Sequence, residues 1–416
     1  MLILDLLYFL LLLLTWPFWV ARFLKPSQRR LLRGRLRPQL EPVAGKNSVW
    51  IHAVSVGEVR SLRSLIAELE SRGRRIVLSV TTPAGFDLAR REYPGLAVIL
   101  SPLDLSFVVR RFIDRIQPQL VIFNELEIWP NWISLLRRRR IPMLLINGRV
   151  SQKAFRRYRF FRPVLRPFFR GIDGFLVQNE MYRQRFLRLH IPAGKITVCG
   201  NIKADEAIRS IDQLPPPEEV RAHLRLTGPP RRIVVLASSH PLDEEVFVPA
   251  IPGRGDDFFF IIVPRHVQRA PAIAARLQRL GIAQALFSRQ RTGDQGLQAL
   301  VYDRMGYLFP ILSIADIVFM GGTFDAAIGG HNLYEPAALG KTIVGGPHCN
   351  NFPDIGRELK ENGAYRPVND GHEWREFLTA FPGLDSESIG AIARKAVAGR
   401  KGSLACSLER IERYLA

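Results

Sequence analysis

The sequence predicts an α/β protein built from two doubly wound domains, each a parallel sheet with helices on both faces. Two observations carry this: short apolar runs alternate with segments of helical period along most of the chain, and the alternation stops and restarts around Gln213-Leu-Pro-Pro-Pro217. No internal repeat at a fixed short period is present, which sets solenoids aside. A chain of 416 residues with 47% hydrophobic residues has room for about two or three domains with substantial cores. The expected limits are 1–24 for a membrane anchor, 25–46 for a basic linker, 47–212 and 213–400 for the two domains, and 401–416 for a terminal helix placed to pack back on the first domain.

In chain order, MLILDLLYFLLLLLTWPFWVARFL opens the protein, apolar except for Asp5, with Pro17 as an interruption and Arg22 near its end. Its length barely spans a bilayer and also suits a helix lying in one leaflet. A cleaved signal peptide fits less well, because the charges follow the apolar run and no small-residue cleavage site appears. Arg22, Lys25, Arg29, Arg30, Arg33, Arg35 and Arg37 precede the next acidic residue, which keeps the bulk of the chain on the cytoplasmic side and attracts anionic headgroups. Pro38 to Lys46 reads as the linker. The first strand series is then Val49 to Val54, Ile76 to Val80, Ala97 to Leu100, Leu120 to Asn124, Leu144 to Asn147 and Gly174 to Val177, and Val59, Leu62, Leu65, Ile66 and Leu69 recur at helical spacing. The second series is Ile233 to Ala237, Phe258 to Val263, Leu300 to Tyr302, Ile317 to Met320 and Thr342 to Gly345; Ile389 to Ala416 is helical by period.

Ligands of such sheets bind beyond the carboxyl ends of the strands, so the turns there are the candidate sites. The most informative is Gly321 to Lys341, GGTFDAAIGGHNLYEPAALGK, where Asn332 reads as an N-cap and Gly340 as a helix stop. A strand, a glycine-rich loop and a helix start make a place for an anion, with Glu335 one turn up to meet ribose hydroxyls; ordinary helix capping explains the same spacing equally well. His52-Ala-Val-Ser-Val-Gly-Glu58 puts Glu58 in a first helical turn. In Asn124-Glu-Leu-Glu-Ile-Trp-Pro-Asn131, strand alternation predicts Glu125 and Glu127 on one side. Further turns are Gly200-Asn-Ile-Lys203 with Asp205, Ser238-Ser-His240, and Pro264-Arg-His-Val-Gln-Arg269, in which Arg265 is set to pair with phosphate or to stay solvated.

The formal charge of +21 calls for a polyanionic partner, whether nucleic acid, anionic membrane or phosphorylated substrate. Cys199, Cys349 and Cys406, odd in number and far apart, suggest neither a disulfide framework nor a metal site, and a reducing compartment fits best. The histidines form no H-E-x-x-H or comparable cluster, so nothing in the sequence argues for a metal.

Together these turns resemble a known family. I-H-A-V-S-V-G-E at Ile51 to Glu58, T-T-P-A-G at Thr81 to Gly85, E-L-E-I-W-P-N at Glu125 to Asn131, N-G-R-V-S at Asn147 to Ser151, G-N-I-K-A-D at Gly200 to Asp205, P-R-H at Pro264 to His266 and G-G-H-N-L-Y-E-P at Gly329 to Pro336 follow the order of the bacterial lipid A Kdo (3-deoxy-D-manno-octulosonic acid) transferases. The resemblance covers nearly the whole chain, including the N-terminal segment. It implies a GT-B glycosyltransferase of two Rossmann-like domains, the first binding the acceptor and the second CMP-Kdo. Such an enzyme moves Kdo with inversion to a lipid A precursor, tetraacyldisaccharide 1,4'-bisphosphate, at the cytoplasmic face of the bacterial inner membrane, without cofactor or metal. By the same resemblance Glu58 is the general base and Glu127 and Lys203 stabilise the transition state. The CMP-Kdo contacts fall on Arg265, His266, Gly306, Tyr307, Leu308, Gly329, Gly330, Asn332, Leu333, Tyr334 and Glu335. Two departures stand out: Tyr307 where the family has Glu in G-E-L, and Asp325 where relatives carry an apolar residue.

This chemistry agrees with the residues. A sugar hydroxyl needs a carboxylate to accept its proton, and a departing CMP phosphate needs cationic or amide donors. Arg137 to Arg140 and the run Arg149, Lys153, Arg156, Arg157, Arg159, Arg162, Arg166 and Arg170 would suit a bisphosphorylated lipid at a membrane surface, or form a solvated face. Two rivals stay open. A GT-B enzyme using a uridine sugar nucleotide shares the anchor and the phosphate site; a nucleic-acid binder explains the charge, yet leaves the anchor unexplained and shows no RNP, zinc-finger or helix-turn-helix signature.

Overall fold

A computed structural model describes residues 2–15, 26–38, 40, 47–228, 231–251, 257–290 and 293–415. The chain divides into two compact units, one of Met1–Glu206 with Gly402–Ala416 and one of Ala207–Lys401. In the first unit, β1 (Ser48–Ala53), β2 (Ile76–Val80), β3 (Ala97–Leu100), β4 (Pro118–Asn124), β5 (Met143–Gly148), β6 (Gly174–Val177) and β7 (Ile196–Val198) form a wholly parallel sheet in the order β3-β2-β1-β4-β5-β6-β7. Strands buried on both faces read as continuous apolar runs, and β1, β2 and β5 are buried at every position. One layer packs around Trp50, Phe112, Trp132, Phe169 and Phe186, the other around Ile51, Leu65, Leu78 and Ile122.

The second unit repeats the plan. β8 (Arg232–Ser239), β9 (Phe258–Pro264), β10 (Gln284–Leu286), β11 (Ala299–Val301), β12 (Ile317–Met320), β13 (Thr342–Gly345) and β14 (Tyr365–Pro367) lie in the parallel order β10-β11-β9-β8-β12-β13-β14. Phe247, Phe260, Phe319 and Trp374 fill one face of it. Every strand expected from the sequence is present. Those not expected, β7, β10 and β14, are three-residue edge strands, too short to show a period of their own.

At the N-terminus the helix Leu2–Leu14 has 13 residues, and among the described residues no helix is long and apolar enough to cross a membrane. The rest of the expected anchor, 16–24, lies outside the described residues, as do 25, 39 and 41–46 of the expected linker; the remainder of that linker is not extended chain but carries a helix, Pro26–Leu36. Asp5 is the reason this helix sits on the domain: its carboxylate accepts from the Ser106 N–H (3.0 Å), the Ser106 hydroxyl and Asn131 Nδ2 (3.1 Å), while Tyr8 donates to Asp104. At the other end, two helices replace the single one expected, Ser386–Ala398 and Ser403–Glu412, parted by Gly402 at φ 107°. The second places Leu404, Leu408 and Ile411 in the core of the first unit.

The reading of the cysteines is corrected. Cys199 and Cys406 are joined in a disulfide, with Cα atoms 5.5 Å apart across a sequence separation of 207. The returning terminal helix brings together residues whose spacing along the chain carried no sign of proximity. Cys349 is free and buried.

Candidate active site

Each sheet is built outward from a central pair, β1 and β4 in the first unit and β8 and β12 in the second; this pair is the switch point, where the chain crosses from one half of the sheet to the other. Loops leaving the carboxyl ends of such a pair diverge and leave a crevice. Glu58 and Glu127 follow the first pair and Gly329 to Glu335 follow β12 of the second, whereas Lys203 follows the edge strand β7 and Gly306 to Leu308 follow β11, away from either pair.

Glu58 follows β1 in the helix Val56–Ser61. Its carboxylate bends back to the turn, accepting from the Val54 N–H at Oε2 (3.0 Å) and from Ser55 Oγ at Oε1 (3.2 Å), and the residue is buried. The helix start and the chemical site are therefore one feature: the capping bonds fix where the carboxylate stands. Burial, then the nearby Glu125, push its pKa up to about 8 against the opposing Val54 hydrogen bond.

Strand alternation does not set the placement of Glu125 and Glu127, which meet different partners although both act on the charge of Glu58. β4 ends at Asn124 and Glu125 turns to φ 62°, so the extended backbone that alternation requires stops one residue early. Glu125 accepts from Arg149 Nε (2.7 Å) and Lys203 Nζ (3.3 Å). Burial works against its charge, but Lys203 and then Arg149 outweigh it and hold the carboxyl below its ordinary range. Glu127 accepts from Trp129 Nε1 (2.9 Å) and meets His52 Nε2 (3.0 Å).

His52 was given no role by sequence, although it opens the motif that ends in Glu58. Trp50 Nε1 donates to Ser79 Oγ (2.9 Å), and the same oxygen lies 3.0 Å from His52 Nδ1. The His52 ring thus bridges Ser79 and Glu127, one nitrogen on each. Arg149, treated by sequence as part of a basic run, is likewise drawn inward by Glu125. Neither position carries a local signal, since partners 24 and 75 residues away decide it.

Lys203 is held by its own motif. Asn201 Oδ1 accepts from the Lys203 N–H (3.1 Å), and Gly200, at φ 94°, lies so close to Ser403 that a Cβ would stand 2.2 Å from its hydroxyl. Asp205 accepts from the N–H groups of Gly402 and Leu404, both at 2.9 Å, capping the terminal helix. The motif G-N-I-K-A-D thus fastens one helix and aims one ammonium.

In the second unit Gly321 follows β12 against the Ser238 carbonyl, where a Cβ would come within 2.4 Å. Asp243 binds the two switch-point loops together: Oδ2 accepts from the N–H groups of His240 (2.8 Å) and Gly322 (2.7 Å). Gly329 and Gly330 have φ 69° and 81°, and Asn351 clasps them, its N–H on the Gly329 carbonyl (2.9 Å) and Nδ2 on that of Gly330 (3.2 Å). The helix beyond is Tyr334–Ala338, five residues with Leu333 at the N-cap, shorter than expected; Asn332 Oδ1 accepts from the Tyr334 N–H (3.2 Å). Glu335 lies in its first turn. Asp325, unplaced by sequence, has a local task. Its Oδ1 accepts from the Ala327 N–H (2.8 Å) and its carbonyl from those of Ile328 and Gly329, shaping the turn into the glycines.

Arg265 and His266 are exposed directly after β9, next to β8 in the sheet. The edge of His266 meets the His240 ring with centroids 6.0 Å apart. Gly306 takes φ 98° ahead of the helix Leu308–Ser313, and Tyr307 packs against His223 with ring centroids 4.1 Å apart, an aromatic surface where a carboxylate was expected from the family pattern.

Comparison with known proteins agrees with this geometry. A profile described as 3-deoxy-D-manno-octulosonic-acid transferase (kdotransferase) matches residues 19–206. The 3-deoxy-D-manno-octulosonic acid transferase of Chlamydophila psittaci is 34% identical over 332 residues, 79% of this chain and 74% of that protein. That of Haemophilus influenzae is 30% identical over 88% of this chain and 87% of its own. Among solved structures, UDP-GlcNAc 2-epimerase from Neisseria meningitidis superimposes with a TM-score of 0.64 over 88% of this chain and all of the other, at 13% identity; this shows the GT-B-like two-domain fold alone. With its motifs at the carboxyl ends of the strands and identity of this level over most of both chains, the protein belongs to the Kdo (3-deoxy-D-manno-octulosonic acid) transferase family of glycosyltransferases.

Proposed function

We propose that the protein transfers Kdo from CMP-Kdo to a hydroxyl of a lipid A precursor, tetraacyldisaccharide 1,4'-bisphosphate, with inversion at the anomeric carbon. The observation that carries this reading is Glu58: a buried carboxyl at a switch point, its proton affinity raised by burial and by the neighbouring Glu125. A base of raised pKa holds an abstracted proton well, at the cost of a smaller ionised fraction at neutral pH. In the proposed step the acceptor oxygen bonds to the anomeric carbon and its proton passes to Glu58. The bond from that carbon to the phosphate oxygen breaks, and CMP leaves with the electron pair. Glu127, oriented by His52 and Trp129, and Lys203, held on Glu125, answer the charge that develops. Arg265, His266, Gly306, Tyr307, Leu308, Gly329, Gly330, Asn332, Leu333, Tyr334 and Glu335 take the donor, with Glu335 on the ribose.

Two surfaces of the first unit support a lipid acceptor at the cytoplasmic face of an inner membrane. Phe160, Phe161 and Val164 are exposed among the exposed Arg156, Arg157, Arg159, Arg166 and Arg170. In the first helix Asp5 and Tyr8 turn inward, while Leu6, Phe9, Leu10, Leu13 and Leu14 line the outer face. Apolar side chains set among arginines are the pattern of a protein resting on an anionic lipid surface. Mass spectrometry of the products from CMP-Kdo and a lipid A precursor tests the assignment. A mass increase of one or more Kdo units is expected; transfer from UDP-sugars in its place would overturn it.

A further inference from the structure

At the second switch point His240, after β8, and His331, after the glycine loop, face each other with Nε2 atoms 2.8 Å apart. Their planes differ by 10° and their centroids stand 5.1 Å apart, so the excess of centroid over nitrogen separation is taken up by the two ring radii. The rings therefore lie end to end in a common plane, which is the geometry of a hydrogen bond and not of face-to-face stacking. Two bare nitrogens at that distance repel, so one proton sits between them and the neutral pair holds it jointly.

Among the described residues, the charged groups that act on the His331 ring are all of one sign. Arg265, from the turn after β9, and Arg269 beyond it carry positive charge, and the ring of His266 meets that of His240 at 90°. Of the carboxylates on the helix after His240, Asp243 accepts from the N–H groups of His240, Gly322 and Phe324, and Glu244 from Arg269 Nη2 and Ser239 Oγ. Burial, then Arg265, His240 and His266, hold the His331 pKa down at about 3; burial, then His266 and Arg265, with Arg269 against an opposing Glu244, lower that of His240. Gly322 and Gly330, at φ 72° and 81°, let the loop close around the His331 ring; a Cβ on Gly322 would stand 3.1 Å from it.

We propose that His240 and His331 are the proton-linked contact for the anionic group of the donor. The free pair is neutral, with one proton on the bridge between the two Nε2 atoms; a phosphate seated beside Arg265 supplies the missing counter-charge, so as the nucleotide binds the pair takes one further proton from solvent at the Nδ1 of the donating ring, and the bridge keeps its own. This rests on the donor reading given under Proposed function and adds to it which side chains sense the phosphate and how.

Titration calorimetry of the full chain with CMP tests it at about pH 7.5, where a phosphomonoester is almost wholly dianionic. Two buffers of different ionisation enthalpy reveal the protons exchanged. Net uptake of up to about one proton per CMP is expected, growing as the pH is lowered from 7.5, with affinity falling by up to about tenfold per pH unit on the alkaline side. Cytidine, without a phosphate, should bind with no uptake, a comparison that needs no variant. His331→Gln and His240→Gln should each bind CMP more weakly and lose the uptake. CMP binding without buffer-dependent heat, equal uptake with cytidine, or unchanged uptake in both variants would overturn the proposal and leave the donor reading standing. Absence of CMP binding under all conditions would overturn both.

Discussion

Glu58 is the proposed general base, and its hydrogen bonds make its substitution informative. Glu58→Gln keeps the shape and both local partners while removing the base, so transfer should fall by about 10²- to 10⁴-fold with CMP affinity unchanged. Near-normal turnover would remove Glu58 from the role. Because its folded-state pKa is raised to about 8 from 4.5, the stability it contributes is complete below the unfolded value and is lost as pH rises through 8. Urea unfolding at both ends of that window should show wild type losing stability towards high pH and Glu58→Gln losing less. Glu125 tests the electrostatics at one remove: Glu125→Gln takes away a negative neighbour, so the acid limb of the kcat/KM profile should move to lower pH. An unmoved limb would mean that burial alone sets the Glu58 pKa.

At the scale of elements, the segment from Cys199 to Asp205 joins local structure to function. Gly200 and Asp205 grip the terminal helix Ser403–Glu412 while Lys203, between them, reaches Glu125. Asp205→Ala leaves two helix-start N–H groups without their carboxylate and should lower stability by about 2 kcal/mol, read from denaturant midpoints. If the helix is what positions Lys203, kcat should fall in the same variant; a stability loss with kcat intact would limit Asp205 to capping. Gly321, pressed against the Ser238 carbonyl, and Gly329-Gly330, in left-handed conformations, show why this stretch is glycine-rich: the backbone approaches its neighbours more closely than a Cβ permits.

For the whole molecule, the charge of +21 and the exposed phenylalanines are tested together on vesicles. Replacing Phe160 and Phe161 with serine should reduce sedimentation with anionic vesicles while CMP affinity stays the same, and binding by the parent protein should weaken with salt. Equal sedimentation of the variant would assign the surface another purpose. Acid stability carries a second whole-molecule signature. His331 is depressed from 6.5 to about 3, so its contribution is present above the unfolded value and is lost as pH falls through that window. His331→Gln should flatten this part of the curve.

The sequence by itself determined the two parallel sheets, because strands buried on both faces must be written as apolar runs, and it determined the turns that follow them, because glycine, caps and carboxylates at strand ends leave local marks. Asp205, Glu58 and the Gly329-Gly330 loop were legible for that reason. Only the tertiary structure decided the rest. The edge strands β7, β10 and β14 exist because a neighbour pairs with them. Glu125 and Glu127 take different partners beyond β4, which ends at Asn124 before either of them. Cys199 meets Cys406, Arg149 meets Glu125, His52 meets Glu127 and His240 meets His331 through a folded backbone that brings distant residues together. Periodicity and spacing report what the chain does to its near neighbours; partners dozens of residues away are set by topology, and there the site acquires its charge balance.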